Sequence, residues 1–187
     1  WIETALHAHC IQTDPSNRYA YLPHTVPANQ ILQYRFDETE GRLTPLDEPK
    51  ASVEAGVGPR HYCYHPRLDR VYVSNEQGSS VTVYALDSAS GQLSSLQTLS
   101  TLPDEFEGEN TCAQIHLHPE GRFLYVTNRG HDSIAVFDVD AETGRLTATG
   151  HTQTEPVPRV FNLDPTGRYL YAAGQGSNRL AAYQVDA

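Results

Sequence analysis

The sequence predicts an all-β fold, a β-propeller of four-stranded antiparallel blades, and three observations predict it. First, the chain repeats itself: Pro15, Pro66, Pro119 and Pro165 lie 51, 53 and 46 residues apart, close to the roughly 40–50 residues of a propeller blade. Second, each proline is followed six residues later by a tyrosine (Tyr21, Tyr72, Tyr125, Tyr171). An aromatic comes twelve or thirteen residues further on (Tyr34, Tyr84, Phe137, Tyr183), with an aspartate three beyond that (Asp37, Asp87, Asp140, Asp186). Third, no stretch carries sustained helical periodicity.

Taken in order, the first unit covers about residues 5–54 and the second 55–108, each closing on a glycine and a leucine two later (Gly41 and Leu43, Gly91 and Leu93). The third, 109–155, shows the pattern most plainly. IHLH, FLYVTN, IAVFDVD and RLTATG alternate apolar and polar residues as strands do, and PEGR, RGHDS and AETG between them carry turn chemistry. The fourth, 156–187, stops after its third strand, and Trp1 to Thr4 reads as the tail of a preceding blade. Propellers have about four to eight blades. Ragged ends at both termini point to part of a larger ring rather than a closed four-bladed one, and the absence of methionine to a start upstream of Trp1. Open blade edges then call for cover, by further blades or by self-association.

With 187 residues, 39% apolar and 19% charged, the composition suits one folded domain. A net charge of -10 disfavours nucleic acid and anionic membrane surfaces as partners. No run approaches the roughly 18 apolar residues of a membrane span, and no signal-like segment opens the chain, so a cytoplasmic location is the expectation. Cys10, Cys63 and Cys112 are odd in number and lack zinc spacing, which predicts reduced, mostly buried thiols.

The repeat also places the ionisable residues. The first strand of each blade runs toward its proline and the second returns antiparallel, so positions six before and ten after the proline meet at one rim. These are His9 and Thr25, Arg60 and Glu76, Ala113 and Arg129, Arg159 and Gln175. First strands line the central channel, so these pairs from successive blades gather around one mouth. Three arginines there, in an acidic chain, suit an anion, because the guanidinium fork matches carboxylate and phosphate geometry. A plain surface ion pair between Arg60 and Glu76 is the alternative.

The segments AHCIQTDP, GPRHYCYHP, VYVSNE, IHLHPEGRFLYVTNR and PRVFNLDPTGRYLYAAGQ resemble the seven-bladed propeller lactonase family. That family includes propeller-type 6-phosphogluconolactonases and 3-carboxy-cis,cis-muconate lactonizing enzymes. The resemblance covers the entire chain and implies a seven-bladed ring of which this chain supplies about four blades. It also implies hydrolysis of a small anionic lactone, 6-phosphogluconolactone first. Carboxymuconate cyclisation and a non-catalytic binding scaffold stand as the alternatives. The family's proposed active-site set falls on His9, Arg60, Glu76 and Arg129.

Hydrolysis requires water activation, oxyanion stabilisation and a hold on the substrate. On that basis Glu76 or His9 is the expected base, Arg60 or Arg129 the oxyanion partner, and Arg159 with His61 the partners of a substrate phosphate. Gln175 and His116 complete the expected binding set, His116 as a substrate hydrogen-bonder or a core histidine. The pairs His7 with His9 and His116 with His118 each share a strand face, but neither has a third ligand of zinc spacing, so no metal or other cofactor is expected. The acidic insertion PDEFEGEN, 103–110, is expected to be a solvated loop rather than a lid, and the repeated tyrosines to pack between blades.

Overall fold

The computed structural model describes residues 1–186; Ala187, the last residue of the fourth expected unit, lies outside them. Fifteen strands form four antiparallel sheets, with no helix among the described residues. The first sheet holds β1 (Gln12–Thr13), β2 (Tyr19–His24), β3 (Gln30–Asp37) and β4 (Arg42–Lys50). The second holds β5 (Pro59–Tyr64), β6 (Arg70–Asn75), β7 (Ser80–Leu86) and β8 (Leu93–Ser100). The third is β9 (Thr111–Leu117), β10 (Phe123–Arg129), β11 (Ser133–Val139) and β12 (Leu146–Gln153), and the last is β13 (Pro158–Leu163), β14 (Tyr169–Gly174) and β15 (Arg179–Gln184). Every sheet is a meander, its strands in sequence order. The innermost strands touch one another: β9 packs against both β5 and β13.

Apolar residues sit between sheets. Tyr21, Ile31, Tyr62, Val71 and Leu93 fill the junction of the first and second sheets; Tyr72, Val83, Ile115, Leu124 and Phe137 fill the next; Tyr125, Ile134, Phe161 and Leu170 the third. The repeat tyrosines clip neighbouring sheets together, for the Tyr21 hydroxyl donates to the Gly91 carbonyl at 2.7 Å and Tyr72 donates to Gly144 at 3.0 Å. Their acceptors are the repeat glycines of the next unit. Tyr171, the fourth tyrosine, is 41% exposed, because no further sheet packs on that face among the described residues.

One irregularity recurs in all four sheets. Between the innermost and second strands the register slips by one residue: Pro59 opposes Asn75 while His61 opposes Ser74, and Pro158 opposes Gly174 while Val160 opposes Ala173. The same slip falls between Cys112 and Ile115, and between Ala8 and Gln12. The extra residue is Arg60 in the second sheet and Arg159 in the fourth. A β-bulge turns its residue out of the regular alternation, so the position six before each proline is a bulge that re-aims its side chain. In the first sheet the inner strand is also short. The Pro23 carbonyl accepts from His9 at 3.1 Å, so the nitrogen of Pro23 faces the same strand, and a proline has no hydrogen there to donate.

Candidate active site

Glu76 stands one residue past β6, where its backbone joins two sheets. Its N–H donates to the Gly58 carbonyl at 2.6 Å, and its own carbonyl accepts from the Cys112 N–H at 3.0 Å. Gly58 has a φ of +66°, a backbone conformation that glycine adopts without strain and that other residues rarely take.

The Glu76 carboxylate lies between two guanidiniums. Arg60 Nε is 2.8 Å from Oε2 and Arg129 Nη2 is 2.9 Å from Oε1. The Arg60 contact is close but too poorly aligned for a good hydrogen bond, since neither atom of that pair has a hydrogen-bond partner. Both arginines are fixed a second time by backbone. Arg60 Nη1 donates to the Ala113 carbonyl at 2.9 Å, and Arg129 Nη2 to the Cys112 carbonyl at 2.8 Å. Ser74 Oγ also donates to the Ala113 carbonyl, at 3.2 Å. Burial pushes the Glu76 carboxyl up, but hydrogen bonding and charge from Arg129, then Arg60 and His9, outweigh it and hold the group below its ordinary 4.5. Burial also pulls the Arg60 guanidinium below its ordinary range, offset in part by Glu76. The pair is nonetheless ionised, because a guanidinium does not deprotonate in proteins.

His9 Nδ1 lies 3.2 Å from the His7 carbonyl, and its Nε2 lies 3.9 Å from Glu76 Oε2. A carbonyl can only accept, so Nδ1 is the donor of this contact, and in the neutral tautomer that fits it the lone pair is on Nε2. His9, Arg60, His61, Gln114, Arg159 and Val160 together line a cavity of about 370 Å³. Burial, then the charge of Arg60, pushes His61 down to about 4, so its ring is neutral at pH 7.

The site residues foreseen from sequence therefore divide. His9, Arg60, Glu76 and Arg129 form one contiguous cluster of ionisable side chains, and His61 and Arg159 share the His9 and Arg60 cavity. Arg129 borders a neighbouring recess with Gln77, Asn110 and Gly130. His116 is engaged elsewhere: Gln114 Oε1 accepts from the Phe161 N–H at 3.4 Å, which turns the Gln114 NH₂ toward His116 Nε2 at 2.8 Å. The His116 ring also packs edge-on against Phe161, with centroids 4.9 Å apart. Gln175 is exposed, and its backbone N–H donates to Val157 at 2.9 Å. The insertion 103–110 is pinned where Phe106 packs on His131 at 4.8 Å. Sequence reasoning missed Gln114 and Val160, which stand one position after the rim set in the repeat. It also missed the Ala113 and Cys112 carbonyls, which no side-chain motif announces. Among the described residues no group of three or more His, Cys, Asp or Glu side chains is placed to hold a metal ion.

Comparison with known proteins identifies the family of the fold. The family model described as "Lactonase, 7-bladed beta-propeller" matches residues 3–187. The chain belongs to that family. Among curated relatives, the 6-phosphogluconolactonase of Pectobacterium carotovorum subsp. carotovorum is 40% identical over 155 residues, covering 83% of this chain and 46% of that protein. That of Yersinia enterocolitica is 34% identical over the same shares. Among solved structures, the periplasmic gluconolactonase of Pseudomonas aeruginosa superposes with a TM-score of 0.89 at 31% identity, over 96% of this chain and 50% of that one. A Lactobacillus plantarum protein gives a TM-score of 0.84 at 30% identity, over 96% and 51%. The chain thus spans about half the length of the lactonase relatives it matches.

Proposed function

We propose that the propeller formed by this chain hydrolyses a small anionic sugar lactone, 6-phosphogluconolactone first among them. One observation carries the reading: a histidine with a free Nε2 lone pair and an arginine share a cavity, beside a carboxylate already committed to two guanidiniums. The names of the curated relatives support the choice of lactone.

The chemistry follows from what each group has left to give. Glu76 is held ionised by its arginines, which makes it a weak proton acceptor and a firm anchor. His9 Nε2 is the base that takes a proton from water as the water oxygen attacks the lactone carbonyl. Arg60, buried and lining the same cavity, faces the oxyanion that forms. When the ring C–O bond breaks, the imidazolium returns its proton to the departing ring oxygen, giving the open hydroxy acid. Glu76, 3.9 Å from Nε2, stabilises the imidazolium in between, and Arg129 holds Glu76 from its other oxygen. The lactone is reactive in water, so neither a covalent nucleophile nor a metal is required.

The bare face of the fourth sheet, with Val160, Tyr169, Tyr171 and Leu180 exposed, supports cover by further blades or a second copy. Three free thiols favour a reducing, cytoplasmic setting. The test is proton release from 6-phosphogluconolactone at constant pH, with and without the folded protein. Acceleration above the spontaneous rate is expected, and a folded protein that leaves that rate unchanged would contradict the reading.

A further inference from the structure

Three guanidiniums surround the site, and they are not equivalent. Arg60 and Arg129 share the Glu76 carboxylate and are each tied to a backbone carbonyl. Arg159 has no carboxylate within ion-pair distance among the described residues, and it is exposed where it lines the cavity. Its position is set by the bulge between Pro158 and Val160, the counterpart of the bulge that places Arg60. Its charge reaches Arg60, acting with burial to pull that guanidinium's pKa down. Of the residues lining the cavity, Arg60 and Arg159 are cationic and none is a carboxylate, in a chain of net charge -10.

The sequence grouped Arg159 with His61 as joint partners of an anion. Both line the same cavity, but His61 sits half-buried beside Arg60 and is neutral at pH 7, so it offers hydrogen bonds to hydroxyls and no charge. Among the described residues lining the cavity, Arg159 is the cation with no carboxylate partner.

We propose that Arg159 determines substrate specificity by gripping the phosphate of a phosphorylated sugar lactone in the cavity that it shares with His9 and Arg60. This rests on the lactonase reading and adds a prediction that reading does not make: the preference for a phosphorylated over an unphosphorylated lactone resides in one residue outside the reacting cluster. A planar fork with no intramolecular partner can meet two phosphate oxygens at once, which a lysine cannot.

The experiment compares kcat/KM for 6-phosphogluconolactone and for unphosphorylated gluconolactone in the wild-type protein, Arg159→Gln and Arg159→Lys. Binding of 6-phosphogluconate and gluconate is measured on the same proteins by calorimetry. A charge-assisted contact of this kind predicts that Arg159→Gln lowers the ratio of the two kcat/KM values about 10- to 100-fold, through KM. Arg159→Lys should lower it less. Equal losses on both lactones, or an unchanged ratio, would overturn the proposal and leave the hydrolytic reading standing. A wild-type protein that turns over neither lactone, yet binds 6-phosphogluconate better than gluconate in an Arg159-dependent way, would overturn the hydrolytic reading and uphold this one. Neither turnover nor binding would overturn both.

Discussion

Replacing Glu76 with alanine separates a built site from an ornamental surface ion pair. The Arg60, Arg129 and Glu76 side chains are 3%, 12% and 16% exposed. Without the carboxylate, two guanidiniums are left side by side, each largely out of water and each still tied by one backbone carbonyl. Breaking a buried pair by removing one partner costs about 3–5 kcal/mol, whereas an exposed pair is worth about 0–1 kcal/mol. The chain supplies its own control, for Glu120 and Arg122 form a 3.0 Å pair whose side chains are 64% and 48% exposed. For a domain of this size 1 kcal/mol moves the melting temperature by about 2–4 °C. Glu76→Ala should therefore melt about 6–20 °C below wild type, while Glu120→Ala stays within about 4 °C. Glu76→Gln, which keeps the shape and one acceptor, should fall between them. Urea titrations of the three variants give the same comparison in free energy. A Glu76→Ala protein as stable as Glu120→Ala would refute the premise that the arginines are held by this carboxylate.

Two further outcomes concern pH and packing. His61 is neutral in the fold down to about pH 4, whereas the unfolded chain protonates it below about 6.5. Its contribution is full above pH 6.5 and drains away as pH falls toward 4, by about 2–3 kcal/mol. Urea melts between pH 4 and 7 should show a shallower slope for His61→Gln, and an unchanged slope would remove His61 as the source. Tyr72→Phe strips a fully buried hydroxyl from the Gly144 carbonyl and should cost about 1–3 kcal/mol. Tyr171→Phe, at an exposed position, should stay within about 0.5 kcal/mol; equal losses in the two would show that the hydroxyl clip contributes nothing.

The blades and the rim were legible because both depend on sequence separation alone. A fixed offset from each proline, combined with antiparallel return, brings Arg60 back to Glu76 whatever lies between them. Side-chain direction was not legible. A one-residue bulge leaves the proline-to-tyrosine offsets intact, so nothing in the spacing showed that Arg60 and Arg159 occupy bulges. The carbonyls that fix the arginines belong to Ala113 and Cys112, residues with no functional signature of their own. Whether His9 or Glu76 is the base also turns on contacts outside any motif: a backbone carbonyl sets the His9 tautomer, and two guanidiniums hold Glu76 ionised. His116 meets Gln114, two residues away on the same strand, a contact that no spacing announces.

The division of labour between His9 and Glu76 is tested most directly by the turnover of 6-phosphogluconolactone in His9→Gln. With His9 as the base, kcat/KM corrected for spontaneous hydrolysis should fall about 10²- to 10⁴-fold. The melting temperature should stay close to wild type, because the ring's contacts are the His7 carbonyl, a carboxylate 3.9 Å away and a loose edge-on approach to His61 at 6.3 Å. A His9→Gln protein that turns the lactone over at the wild-type rate would contradict the account.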